Sequence, residues 1–279
     1  MLFFVIISIY SLDFLKEVPD ARGVSLAFSD ISENSITMIG VNPILLPNFF
    51  SFDFGTKDFA GLSDFYLVGF SLPFKDLKTG ILWVRANVSH IPEYPELPEN
   101  DTIPKEKEGE FSSIEEAFII PFKYKNFPLA MQFKIIKKRL KDLKGKGIGF
   151  DIGARKDFNL KGVKLFTGFS ILNPFGAKIS WNSGKKDEER IKFIYFLTFK
   201  KRFSELLEFL FASKLGYDVE IFYSTGFEMK IKGTFSLLFG YEAEPRIGAG
   251  ITFNNFEIHY SLRLHELGKI QTVNIKLKS

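Results

Sequence analysis

The chain of 279 residues contains no cysteine. That excludes disulfides, thiol catalysis and cysteine-based zinc sites. It has no apolar run of about eighteen residues, so no helix can cross a bilayer. A net charge of +4 is too mild to point to nucleic acid. The basic stretch 134–147 is read as a strand running into an external hairpin. Common enzyme motifs are missing: there is no P-loop, no G-x-S-x-G and no H-E-x-x-H. Gly248-Ala249-Gly250 is a fragment of G-x-G, but it lies inside a strand with no helix after it. Its glycines are read as relief of crowding on an inner face. No enzyme, cofactor or metal is expected.

What the chain does have is aromatic: 34 Phe, with aromatic residues at 16% of the total. They are placed by alternation. In DVEIFYSTGFEMKIK, residues 218–232, Val219, Ile221, Tyr223, Phe227, Met229 and Ile231 share one parity. Asp218, Glu220, Ser224, Glu228, Lys230 and Lys232 share the other. Side chains of a strand alternate faces, so this is one amphipathic strand. It is more than twice the usual length of about 5–6 residues. The same pattern recurs in rows such as Tyr66 to Phe74, Leu129 to Ile135, Ile191 to Phe199 and Phe256 to Leu264, none of which carries a charge. The opposite parity holds Lys134, Asp151, Lys164, Arg246, Glu257 and Arg263. A charge on the lipid face of a membrane barrel costs about 2–4 kcal/mol at mid-bilayer, whereas the lumen tolerates it. The long strands are therefore read as membrane-crossing, and only a closed barrel leaves no unpaired edge in lipid.

Fourteen strands are predicted, starting near 48, 65, 80, 114, 127, 146, 162, 190, 204, 218, 234, 246, 255 and 269. Long external loops and short periplasmic turns require the odd-numbered connections to be the long ones. The two longest are the third, within 91–110, and the seventh, 173–189; Lys232-Gly233 and Asn254-Asn255 are tight. The stretch 204–216 also fits a helix with Ser204 as N-cap, but a strand keeps the count even and the turns in phase. Residues 1–11, MLFFVIISIYS, suit the apolar part of an export signal, although no Lys or Arg precedes the run.

The segment ARGVSLAFSDISENSITMIGVNPILLP, 21–47, and the closing hairpins of 248–277 resemble PorV/PorQ-like outer-membrane proteins, relatives of the FadL-type fatty-acid transporters. The matching residues are Ala21, Arg22, Ala27-Phe28-Ser29-Asp30, Asn42 and Pro43. This sequence has Ile44-Leu45 where the family favours Ala-Gly. The resemblance implies a fourteen-stranded barrel in the outer membrane of a diderm bacterium. It implies that 12–46 folds inward as a small plug and that 47–279 forms the barrel. It spans two functions: a FadL-like channel for small apolar molecules, and a PorV-like scaffold that docks secretion-system or exported proteins on loops 91–110 and 173–190.

Candidate lumen residues follow from parity. Phe166, Ile194, Phe196 and Phe222 are the apolar ones that could line a path for a small hydrophobic ligand. His259 and Arg263, sharing parity with Glu257, form a polar cluster more suited to an ion-pair network than to a metal, since further ligands cannot be named. Arg85 is taken as inward-facing beside Trp83 and Asn87. Trp181 is assigned to an external aromatic girdle. The expected partners are outer-membrane lipid and a small hydrophobic ligand or exported proteins, and not nucleic acid.

Overall fold

The computed structural model describes residues 18, 20–93, 109–125, 127–218 and 220–279. The stretch 1–11, read from sequence as an export signal, the first residues of 12–46 and most of loop 91–110 lie outside the described residues. The first strands are β1 (Ser51–Phe59), β2 (Ser63–Phe74), β3 (Leu77–Glu93) and β4 (Gly109–Tyr124). Then come β5 (Leu129–Leu140), β6 (Leu143–Leu160) and β7 (Val163–Leu172). A short pair follows, β8 (Ala177–Trp181) and β9 (Lys186–Glu189). The chain continues with β10 (Lys192–Ser204), β11 (Leu207–Tyr217), β12 (Ile221–Ile231) and β13 (Phe235–Glu242). It closes with β14 (Glu244–Phe253), β15 (Phe256–His265) and β16 (Gly268–Lys278).

Successive strands pair antiparallel, β7 pairs with β10, and β16 returns to β1, where Ser51 lies opposite Lys278. Of the sixteen strands among the described residues, two form the side pair β8–β9, so fourteen make a closed wall. The fold is a transmembrane antiparallel β-barrel. Its outer surface explains why: Phe54, Phe133, Ile148, Phe193, Ile221, Phe239 and Ile251 are all exposed. So extensive an apolar surface is tolerated only against lipid or a partner. Rings of neighbouring strands pack along this face, as Phe122, Phe133 and Phe150 do.

Every strand start lies within five residues of its predicted position, and 207–217 is a strand rather than a helix. The seventh connection is not an irregular loop. After Leu172 the wall strand is interrupted by residues 173–176, with Asn173 (φ 51°) and Gly176 (φ 69°) in the left-handed region. The chain then rejoins the edge of β6, Ile148 pairing with Lys178 and Gly145 with Trp181. Trp181 thereby turns toward the inner cluster around Ile179 instead of joining an outer girdle.

One expected orientation is reversed. Tyr66 pairs with Arg85 and Val68 with Trp83, while Leu82, Val84 and Ala86 are the buried, inward row of β3. Arg85, Trp83 and Asn87 therefore face outward. Arg85 sits 3.6 Å from Glu116, which is also on the outward row.

The barrel is not empty. Residues 20–46 lie inside it, buried almost throughout. They comprise a short helix α1 (Ala21–Ser25) and two 3-10 turns, Thr37–Gly40 and Pro43–Leu45. Asp20 caps α1 by accepting from the Gly23 amide at 2.5 Å, and its other oxygen accepts from Thr37. A five-residue helix has too few internal hydrogen bonds to persist alone. The wall around it holds it in place.

Candidate functional site: the occupied lumen

The inner wall meets this segment in two different ways. On β2, β3 and β4 it presents Leu67, Leu82, Val84, Ala117 and Ile119, all fully buried, against Ile36, Ile39 and Leu46. A second apolar cluster joins Phe166, Ile194 and Phe196 of the wall to Val24, Phe28, Ile31, Met38 and Ile44, with Phe222 packed at its border. The four apolar residues chosen by parity are thus brought together; Phe166, Ile194 and Phe196 are buried with the segment, and Phe222 is half-buried at the edge.

Strands β12 to β16 and β1 present charge instead. Arg22 is buried at their centre, 2.6 Å from Glu228 of β12 and 2.8 Å from Asp30 of its own segment. Glu33 approaches the same guanidinium at 3.8 Å and Lys200 at 3.6 Å. Burial alone would depress the Arg22 pKa, but Glu228, Glu33 and Asp30 raise it well above its usual value. The Arg22 guanidinium in turn holds the Glu33 carboxyl well below the usual range, against the opposing effect of burial. Arg22 is therefore a permanent cation with three carboxylates around it.

Backbone groups of the segment that no helix satisfies are bonded by the wall, as buried polar groups require. Arg155 donates to the Ile31 carbonyl and to Asn34 Oδ1, both at 2.9 Å. Ser224 donates to the Ala27 carbonyl at 3.0 Å, and Lys123 to the Ile44 carbonyl at 3.1 Å. Asn42 accepts from the Ile44 amide at 3.1 Å and donates to the Phe169 carbonyl at 3.3 Å, with Pro43 opening the last turn. Of the residues that carry the sequence resemblance, Ala21 lies within α1, Arg22 makes the ion pairs, and Asn42 and Pro43 fix the exit toward β1.

Glycine makes the close approach possible. A Cβ on Gly240 would stand 2.2 Å from the Ser25 carbonyl oxygen, and one on Gly248 2.0 Å from Ser25 Oγ. Both are inward positions that α1 rests upon. Relief of crowding by Gly248 and Gly250 was legible in the sequence. That inward glycines on neighbouring strands form one seat was not. Their shared parity with Glu228 and Arg246 was the available signal.

The polar candidates lie elsewhere in the lumen. His259 is buried on β15, 4.0 Å from Glu257, under the backbone of Gly250. Arg263 pairs with Glu244 at 2.6 Å. Neither joins the apolar cluster, and Arg85 is outside the barrel altogether. Among the described residues, no group of three or more His, Cys, Asp or Glu side chains could hold a metal ion.

No family model and no curated protein matches the sequence. Solved structures do. The crystal structure of the Pseudomonas putida toluene transporter TodX aligns over 92% of this chain and 96% of its own, at 10% identity and a TM-score of 0.57. A TodX monoaromatic hydrocarbon channel deltaS2 mutant aligns over 94% and 97%, at 10% identity and a TM-score of 0.54. The fold is the one seen in TodX. The CymD monoaromatic hydrocarbon channel aligns over 92% and 96%, at 8% identity and a TM-score of 0.48. At such identities the likeness concerns the path of the chain and not its side chains, so the chemistry of the lumen has to be argued from the residues present.

Proposed function

We propose that this protein is an outer-membrane channel for small apolar molecules, of FadL-like kind, with residues 12–46 as its plug and 1–11 as an export signal. The observation that carries this reading is the dry stretch of inner wall. Phe166, Ile194, Phe196 and Phe222 face the lumen rather than lipid, and the first three are buried in one cluster with side chains of the segment. A water-filled pore is lined by polar groups. Here an apolar molecule could replace the segment's side chains against the wall at little cost in hydration. The likeness to a toluene transporter supports the same reading. On this view Phe166, Ile194, Phe196 and Phe222 contact the ligand, while His259 and Arg263 belong to the polar wall that carries the plug. The motif residues Ala21, Arg22, Asn42 and Pro43 support kinship with PorV/PorQ-like barrels, since together they seat the segment.

The test is uptake of labelled toluene or a medium-chain alkane into vesicles with an outer leaflet of lipopolysaccharide, which apolar solutes cross slowly. Uptake should exceed that of protein-free vesicles and fall when Phe196 is replaced by Asp. Uptake no faster than through vesicles alone would end the transport reading. It would leave the barrel as a scaffold for secretion-system or exported proteins, working through loops 91–110 and 173–190.

A further inference from the structure

The outward row of β6 does not stay apolar. Beyond Ala154 it runs Lys156, Phe158 and Leu160, and all three are exposed. On β10 the outward row likewise continues from Phe199 into Lys201 and Phe203. Register brings the two rows side by side across β7. Phe158 lies opposite Leu165, which lies opposite Phe199; Leu160 lies opposite Val163, which lies opposite Lys201. Each lysine lies over an aromatic ring, Lys156 Nζ at 5.2 Å from the Phe158 centroid and Lys201 Nζ at 4.7 Å from that of Phe203. The turns around them add Lys161 and Lys232, and the rim ends of the inward rows of β7 and β10 add Lys164 and Arg202, all exposed.

Carboxylates do not balance this patch. Asp157 is taken by Arg155 at 3.0 Å, and Glu208 by Lys200 at 3.0 Å, with Arg202 at 3.7 Å. Glu205 on the turn is the exposed acid that remains. Among the described residues, none of Lys156, Lys161, Lys164, Lys201 and Lys232 has an ion-pair partner. Just inside the rim, Lys200, Arg202 and Lys230 line a depression of about 290 Å³ together with Glu205 and Glu208. At the opposite rim Lys138 pairs with Glu115 at 2.9 Å, Lys192 with Asp218 at 2.9 Å and Lys141 with Glu93. Lys137, Arg139, Lys144 and Lys146 are exposed there on the outward rows of β5 and β6, but no apolar residue of either row lies beyond them toward the rim.

We infer that this lip, at the rim where β16 ends, binds the phosphate headgroup of an anionic phospholipid from the adjacent leaflet. The physical reason is that Lys156 and Lys201 project from a lipid-facing surface. Phe158, Leu160 and Phe203 rest among acyl chains, and the lysine stems extend along them to bring the ammonium groups to headgroup depth. A soluble acidic protein would satisfy the cations but leave those apolar side chains in water. A zwitterionic lipid would satisfy the apolar side chains but leave the charge unbalanced. An anionic lipid satisfies both. The inference rests on the membrane barrel and is independent of what passes through the lumen.

The test is native mass spectrometry of the full chain in detergent with added phosphatidylglycerol or phosphatidylcholine. Each engaged cation adds about fivefold to anionic-surface affinity. The unmodified protein should therefore retain phosphatidylglycerol at least about tenfold more than phosphatidylcholine. K156Q/K161Q/K164Q/K201Q/R202Q/K232Q should lose that preference, and K141Q/K144Q/K146Q at the opposite rim should keep it. Heat-modifiable gel migration identifies any variant that has not folded. If the six-site variant is unfolded, the double variant K156Q/K201Q carries the test, with a several-fold loss expected. Equal retention of the two lipids would overturn the inference. So would loss of bound phosphatidylglycerol to millimolar inorganic phosphate, or selective capture of polyglutamate with no lipid preference.

Discussion

The inner face of β2–β4 and that of β12–β16 with β1 line the same lumen and touch the same segment, yet they hold it by different forces. The first offers Leu67, Leu82, Val84, Ala117 and Ile119 and gains by excluding water. The second buries Glu228, Arg246, Glu257, His259, Lys276, Asp53 and Lys57, and holds the segment through Glu228 to Arg22, Ser224 to the Ala27 carbonyl and Arg246 to the Val24 carbonyl. Apolar contact is non-directional and survives small displacements. A buried ion pair depends on geometry and is costly when one partner leaves. A segment held on one side by each can slide on the first wall only after the second has let go. The polar wall is the lock and the apolar wall the bearing.

Removing the lock should have the largest effect. Arg22→Met leaves Glu228 and Asp30 buried without their cation, a loss of about 3–5 kcal/mol. Hydrogen exchange across 20–46 should accelerate well before the strands do; unchanged protection there would show that the pairs do not hold the segment. On the bearing, Leu82→Ala should cost about 2–5 kcal/mol through lost contact and a cavity. Urea unfolding followed by the fluorescence of Trp83 and Trp181 reports it. A loss equal to that at Arg22 in segment exchange, with no change in barrel unfolding, would erase the distinction between the walls.

A smaller effect is expected from acid. The Glu33 carboxyl is held below its usual range by Arg22. A depressed folded-state pKa contributes stability that is present above the unfolded value and lost as pH falls through the folded one. Protection of residues 20–46 should therefore be constant at neutral pH and decline below the ordinary glutamate range, and Glu33→Gln should flatten that decline. A decline that begins above neutrality would assign the titration to another group. Smallest of all, Arg85→Leu should change stability by no more than about 1 kcal/mol, because the Arg85–Glu116 pair is partly exposed on the outer face. A large loss would return Arg85 to the lumen.

Arg85 also marks how far alternation can be read. Strand β3 is apolar on both parities, with Ile81 and Trp83 on one and Leu82, Val84 and Ala86 on the other. A wall with lipid outside and a packed segment inside has no wet face, so polarity could not assign its sides. Arg85 and Asn87 suggested the lumen, but Arg85 lies on the outer face, where Glu116 of β4 stands opposite it as an ion-pair partner. On β14 and β15 one face is charged, and there parity gave His259 and Arg263 correctly as inward. The seventh connection followed the same logic. Its length was visible, but pairing of 177–181 with β6 depends on a partner some thirty residues away in sequence.

By itself the sequence determined the number of strands, the phase of their turns and the apolar belt. These rest on local alternation, which backbone geometry imposes on every residue in turn. The tertiary structure decided what occupies the lumen. The apolar residues of 20–46 show no regular period, and their burial requires a cavity that exists only once the barrel has closed. Closure joins Arg22 to Glu228, 206 residues apart, and sets Ser25 against Gly240 and Gly248. No local pattern encodes those distances, because they are fixed by the circumference of the wall.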